Sequence, residues 1–227
     1  MPLIENILKS NSINAFFECD VKQLQKDYHS IKEINVPNKA FLYHQGNPCS
    51  DVFWIKSGIG KRSYLTEQGT EITIALFEKG DVIGGLLNDS VAQNMEETAQ
   101  ALSDVDFYKV AYNDFKTMMT HRPELAWYVF EKIYAKKQKI ERKLRTTLTQ
   151  PIEKRVIATL LELAEMFGIE CTHGYALEIH LTQQEVADLV GASRSVVSTI
   201  LNDFRSRGML DYTREQICIN VAALTNL

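Results

Sequence analysis

The stretch "LTQQEVADLVGASRSVVSTILNDFRSRGML", residues 181–210, constrains the fold most. Thr182-x-x-Glu185 has the spacing of a capping box, which satisfies two of the open N–H groups at a helix start. Val186, Ala187, Leu189 and Val190 form one apolar side. Gly191 ends this helix, because glycine takes a positive φ at little cost. Ala192 and Ser193 complete a three-residue turn, with Ser193 placed to cap a second helix. Val196, Val197, Ile200, Leu201 and Phe204 are expected to face the core, and Gly208 stops the helix. Small Ala187 and Gly191 would let the two helices cross closely. Two helices joined by a short glycine turn make a helix-turn-helix.

Such a motif lays the first turns of its second helix in a DNA major groove. Arg194, Ser195, Ser198 and Thr199 are the candidate base-facing residues. Arginine can give two hydrogen bonds to guanine O6 and N7. Ser193, Thr182 and the helix N-terminal N–H groups can hold phosphates, and Gln183 and Gln184 complete the candidate DNA surface. Leu210-Asp211-Tyr212 and Ile217-Cys218-Ile219 flank a four-residue turn and read as a winged hairpin with Arg214 at its tip. From residue 151 onward six Lys or Arg face ten Asp or Glu, yet within 193–214 the balance is four to two. The basic surface is therefore local, as the overall net charge of −4 also requires. The competing reading, from another class, is a small-molecule-binding or catalytic β-roll whose C-terminal helices only pack.

Upstream the periodicity changes twice. Residues 1–27 read as short helical pieces. From about Tyr28 to Ala111, short runs such as Val52-Phe53-Trp54-Ile55 and Ile72-x-Ile74-x-Leu76 predict strands, with a tight hairpin at Glu67-Gln68-Gly69-Thr70. Regular short strands suggest a barrel, roll or sandwich. From Tyr112 to Leu148 the period is helical, and Pro123 fits the first turn of a new helix. Leu125, Val129, Ile133, Ile140, Leu144 and Leu148 form a stripe that predicts a coiled-coil homodimer, the alternative being a helix lying on its own β-domain. The flanking Lys132, Lys136, Lys137, Lys139, Arg142, Lys143 and Arg145 read as a solvated face. After Pro151 another amphipathic helix closes near Gly168, and Ala176–Ile179 suggests a small strand.

No apolar run approaches the ~18 residues of a membrane helix, and MPLIENILKSN lacks a basic n-region, so the expectation is a cytoplasmic protein with no membrane contact. Cys19, Cys49, Cys171 and Cys218 contain no C-x-x-C pair, and Cys171-Thr-His173 has no further ligand nearby. The five histidines form no H-x-H or H-E-x-x-H set, and neither G-x-S-x-G nor a P-loop occurs. Neither a metal site nor an enzyme is expected.

The ordered set "SGIGKRSYLTEQGTEITIALFEKGDVIG", "PIEKRVIATLLELAE" and the helix-turn-helix resembles the cyclic-AMP receptor protein and fumarate–nitrate regulator (CRP/FNR) superfamily of bacterial transcription factors, over nearly the whole chain. The resemblance implies an α+β chain. An effector-sensing jelly-roll, a double-stranded β-helix of the cyclic-nucleotide-binding kind, would span 1–111, a dimerisation helix 112–149 and a winged helix-turn-helix 150–227. It implies a homodimer on palindromic DNA that contacts RNA polymerase. Arg194 matches the family's guanine-reading arginine and Ser193 its phosphate-contacting serine; Ser198 matches a base-reading position of the fumarate–nitrate branch. Ser195 and Thr199 stand where glutamate and arginine are frequent, so a different half-site is expected.

The cradle "GDVIGGLLNDSVAQNMEETAQALSD", residues 80–104, sits where the nucleotide-binding branch holds its phosphate, yet no Lys or Arg lies between Lys79 and Lys109. In that branch a glutamate grips the ribose and an Arg-Ser or Arg-Thr pair the phosphate; here these positions fall near Gly85 and Glu97-Thr98. Gly84, Gly85, Leu86, Glu97, Thr98 and Ala99, with Ile140 of the long helix, are the candidate effector pocket. A carboxylate in place of a guanidinium repels phosphate, so no cyclic nucleotide is expected. Gly84 and Leu86 replace the haem-binding Cys and His of carbon monoxide sensors, and Cys19 alone cannot supply an iron–sulfur cluster. The expected effector is an unknown small molecule, neutral or cationic, or else the regulator is constitutive.

Overall fold

The elements of the chain follow one another as strands, then helices, then a small mixed domain. The computed structural model describes residues 21–48, 50–85, 94–171, 174–177, 179, 181–212 and 217–225. Two units emerge: residues up to 62 with 76–139, and 63–75 with 140–227.

The first unit carries α1 (Val21–Asp27), β1 (Lys32–Val36), β2 (Phe41–Tyr43), β3 (Asp51–Ser57), β6 (Val82–Gly84), β7 (Thr98–Ala101), β8 (Val105–Ala111) and α2 (Tyr112–His121). Strands β4 (Gly60–Leu65) and β5 (Glu71–Phe77) complete the sheets. Strand orders are β1-β8-β3-β6 and β2-β7-β4-β5, the two sheets of a jelly-roll. The β4–β5 turn is the one expected: Gly69 has φ +80, and Thr66 N–H donates to Thr70 O at 2.9 Å.

Val52-Phe53-Trp54-Ile55 is apolar without alternation because its sheet is covered on both faces. Successive side chains point to opposite sides of a strand. Val52 and Trp54 enter a core with Leu24, Phe115, Leu125, Tyr128 and Val129, supplied by helices. Phe53 and Ile55 enter the core between the sheets, with Tyr43, Phe77, Ile83 and Ala99.

Helix α3 runs Pro123–Thr149, its proline at the first position as expected. The structure corrects the stripe on it. Leu125 and Val129 are buried in the helix-capped core, and Tyr128 stacks on Trp54 with ring centres 5.9 Å apart. Ile133, Leu144 and Leu148 of the stripe are exposed, and Trp127, Phe130 and Tyr134 join them. One helix thus carries two apolar faces, and periodicity alone merged them. The basic flank is corrected too. Lys136 Nζ lies 2.7 Å from Asp81 Oδ2 and donates to Leu76 O at 2.9 Å. Lys143 Nζ donates to Thr73 O at 2.7 Å. These two lysines bind β5 rather than face water.

The second unit holds α4 (Ile152–Phe167), β9 (Gly168–Cys171), β10 (Gly174–Leu177), α5 (Gln183–Val190), α6 (Arg194–Ser206), β11 (Leu210–Tyr212), β12 (Ile217–Ile219) and α7 (Val221–Thr225). The sheet order β11-β12-β10-β9 includes the predicted wing hairpin, with Leu210 opposite Ile219 and Tyr212 opposite Ile217. Strand β9, which sequence patterning did not separate from the end of α4, pairs with β10. Val156, Leu160, Leu163, Val186, Val197, Leu201 and Phe204 fill the core beneath.

Candidate nucleic-acid interface and sensor pocket

Helix α5 begins as its sequence dictates. Thr182 Oγ1 accepts from Glu185 N–H at 3.1 Å, and Glu185 Oε2 accepts from Thr182 N–H at 2.8 Å. The helix ends at Gly191, φ +70. A Cβ there would touch only Thr147 Cγ2, at 4.0 Å. Gly191 is therefore needed for its backbone angle, and the close helix crossing expected of it falls to fully buried Ala187.

Ser193 occupies the N-cap of α6, but its hydroxyl makes no bond to the helix N–H groups. It lies 3.1 Å from Ser195 Oγ. The first-turn N–H groups thus receive no hydroxyl from Ser193. Thr199 Oγ1 donates to Ser195 O at 3.0 Å. Arg194, Ser195 and Thr199 are exposed and Ser198 is half-buried, so the candidate base-reading residues share one accessible surface. Val196, expected in the core, is 39% exposed on this same helix. Only one of the adjacent valines can face inward, and Val197 does. Gln184 commits its amide to Asp188 Oδ1 at 2.7 Å, and Gln183 is half-buried.

Arg205 Nε lies 3.3 Å from Asp211 and Arg207 Nη1 3.0 Å from Asp203. The Arg194 side chain has no ion pair or hydrogen bond among the described residues. Arg214 lies outside the described residues.

The cradle is tighter than its glycines suggest. A Cβ on Gly84 would stand 2.6 Å from Phe53 Cδ2 and 2.9 Å from Asp51 O. Gly85 N–H already donates to Asp51 O at 2.9 Å. Thr98 Oγ1 accepts from Gln45 N–H at 3.0 Å, and Ala99 is fully buried. Leu86 lies outside the described residues, and Ile140 is half-buried on α3 in the second unit.

The missing cation comes from another strand. Arg62 of β4 places Nε 2.6 Å from Glu97 Oε1, as charge pairing rather than an aligned hydrogen bond. Tyr43, buried in the inter-sheet core, donates its hydroxyl to the same oxygen at 2.9 Å. This cation lies outside residues 80–104. Strand order makes β4 the neighbour of β7, so Arg62 reaches Glu97 across 35 residues of sequence. The alternation Gly60-Lys61-Arg62-Ser63 was the available signal: Gly60 abuts Phe77 of the inter-sheet core, and Arg62, two residues on, shares its side.

Residues 154–227 match the Crp-like helix-turn-helix domain and residues 33–122 the cyclic nucleotide-binding domain. The chain belongs to the CRP/FNR superfamily.

Among its CRP/FNR relatives are the Global nitrogen regulator of Nostoc sp. (strain PCC 7120), 24% identical over 79% of this chain and 81% of that one, and the Anaerobic regulatory protein of Bacillus subtilis, 24% identical over 81% and 79%. The CRP/FNR fold recurs in a CooA mutant from Carboxydothermus hydrogenoformans (TM-score 0.71, 21% identity, 87% of this chain and 88% of that one). It recurs also in the c-di-GMP responsive global regulator of Xanthomonas campestris (TM-score 0.75, 17% identity, 88% and 99%). The chain is thus a CRP/FNR-type DNA-binding transcription regulator, with a β-roll of the cyclic-nucleotide-binding class and a Crp-like helix-turn-helix. Among the described residues no helix is long and apolar enough to cross a membrane. Three candidate site residues are not apparent from the sequence: Val196 on α6, and Arg62 and Tyr43 in the β-roll.

Proposed function

We propose that this regulator is a cytoplasmic homodimer that inserts α6 into successive major grooves of palindromic DNA. It is not an enzyme, and its β-roll takes no cyclic nucleotide. The observation that carries the reading is the exposed start of α6, where unpaired Arg194 stands beside Ser195, Val196 and Thr199. Arg194 reads a guanine, and the Val196 methyls meet a thymine methyl. Thr182, Gln183, Ser193 and Ser198 are assigned to the same surface, and Arg214 joins them from sequence alone.

The exposed residues of α3 support the dimer. Trp127, Phe130, Tyr134, Lys137, Glu141, Leu144 and Leu148 follow one another at alternating spacings of three and four, the a/d seam of a coiled coil. Phe130 stacks with both Trp127 and Tyr134 along it. Family resemblance supports a contact with RNA polymerase. The paired Glu97 supports the absence of a cyclic nucleotide, because its carboxylate opposes a phosphate. An effector at this pocket would be a neutral or cationic small molecule.

Mapping of bound DNA across the native genome tests the reading. Inverted half-sites one helical turn, ~34 Å, apart are expected. Binding without an enriched sequence would leave the C-terminal helices as packing elements only.

A further inference from the structure

The Arg62–Glu97–Tyr43 cluster has a meaning beyond excluding a phosphate. Arg62 and Glu97 have side chains only 22% and 16% exposed, at the edge of an apolar interior lined by Phe53, Phe77 and Ile83. A guanidinium in such surroundings needs an anion beside it. In a β-roll of the cyclic-nucleotide-binding class, that anion can arrive with a ligand. Here the chain supplies it, one residue before Thr98, and a buried phenol fixes the orientation of the carboxylate. One donor that could otherwise receive an anion is engaged as well: Gly85 N–H donates to Asp51 O at 2.9 Å.

We propose that Glu97 is a built-in anion: its carboxylate fills the seat formed by Arg62 and Tyr43, and the β-roll is competent for DNA binding with no anionic ligand added. The proposal deepens the constitutive form of the DNA-binding reading and rests on it. It also makes a ligand-level claim of its own: removing the carboxylate opens a seat for a small carboxylate anion.

The test uses the full-length chain, with Glu97→Ala and Glu97→Ser as variants and Arg62→Ala/Glu97→Ala as control. Sodium formate and acetate are the probes, at constant ionic strength. The first readout is thermal unfolding, which does not involve DNA. Acetate or formate is expected to raise the melting temperature of Glu97→Ala or Glu97→Ser, and to leave the wild type and the double variant unmoved. The second readout is binding to DNA selected in vitro. Wild type binds with no additive, the single variants lose about tenfold in affinity, and the carboxylate restores it. Single variants that stay folded and gain nothing from carboxylate in unfolding overturn the built-in anion. So does wild-type operator binding that appears only with an anionic small molecule. If carboxylate stabilises the single variants but even wild type selects no DNA, the seat stands and the DNA-binding reading falls.

Discussion

At the scale of the residue, Arg194 and Val196 of α6 are the proposed readers of DNA bases. Arg194 is exposed and unpaired among the described residues, and Val196 is exposed where a core residue was expected. Replacing Arg194 by Ala is expected to cost about 1–3 kcal/mol at the specific operator and to relax one base preference. Equal losses on operator and random DNA would make Arg194 a phosphate contact instead. Val196→Ala is expected to cost about 1 kcal/mol on the same operator. Substituting deoxyuridine for the facing thymine should abolish the difference, because the methyl is the partner. The arginine was legible in sequence, since its position follows from the turn before it. The valine was not, because Val196 and Val197 are chemically identical and only the orientation of the helix on its core separates them.

At the scale of the element, local chemistry was easiest to read and shared surfaces hardest. Thr182, Glu185 and Gly191 set the ends of α5 through contacts within a few residues, so their spacing in sequence was enough. Gly191→Ala is expected to lower unfolding stability by about 1–2 kcal/mol, since φ +70 disfavours a Cβ. Gly191→Asn should cost less, because asparagine tolerates the left-handed region; equal costs would point to the Thr147 contact instead. Helix α3 was harder. Its apolar residues serve a β-roll on one side and the proposed seam on the other, and a single periodicity cannot say which partner each meets. The seam places Lys137 and Glu141 at successive d and a positions. Replacing both with leucine is expected to tighten the dimer by about tenfold or more, read by dilution in analytical ultracentrifugation. An unchanged dimer would move the interface off this face.

At the scale of the whole molecule, pH dependence reports on Lys143. Burial brings its pKa down to about 8, against the opposing pull of Glu162. Above pH 8 the folded chain has released this proton while the unfolded lysine keeps it to about 10.5. The unfolded state then binds more protons, so stability rises with pH across that window. The rise is bounded by about 3 kcal/mol, and the carbonyls of Thr73 and Ile74, which favour the charged form, reduce it. Tyr128, pushed up to about 12 by burial and Asp81, reverses the trend above pH 10, because there the unfolded state loses its proton first. Urea unfolding between pH 8 and 10 should therefore show a rising midpoint in the wild type and a flatter one in Lys143→Met; equal slopes would assign the rise to other groups. This layer was closed to sequence reading, because Lys143 meets β5 only once strand and helix are both placed. The same holds for Arg62 and Glu97, with a wider consequence. Regulators that share one fold also share the risk of answering one another's messengers. A β-roll whose anion seat is filled from within, as proposed for Glu97, would be insulated from the common pool of nucleotide signals, so several such proteins could report separate conditions in one cell without crosstalk.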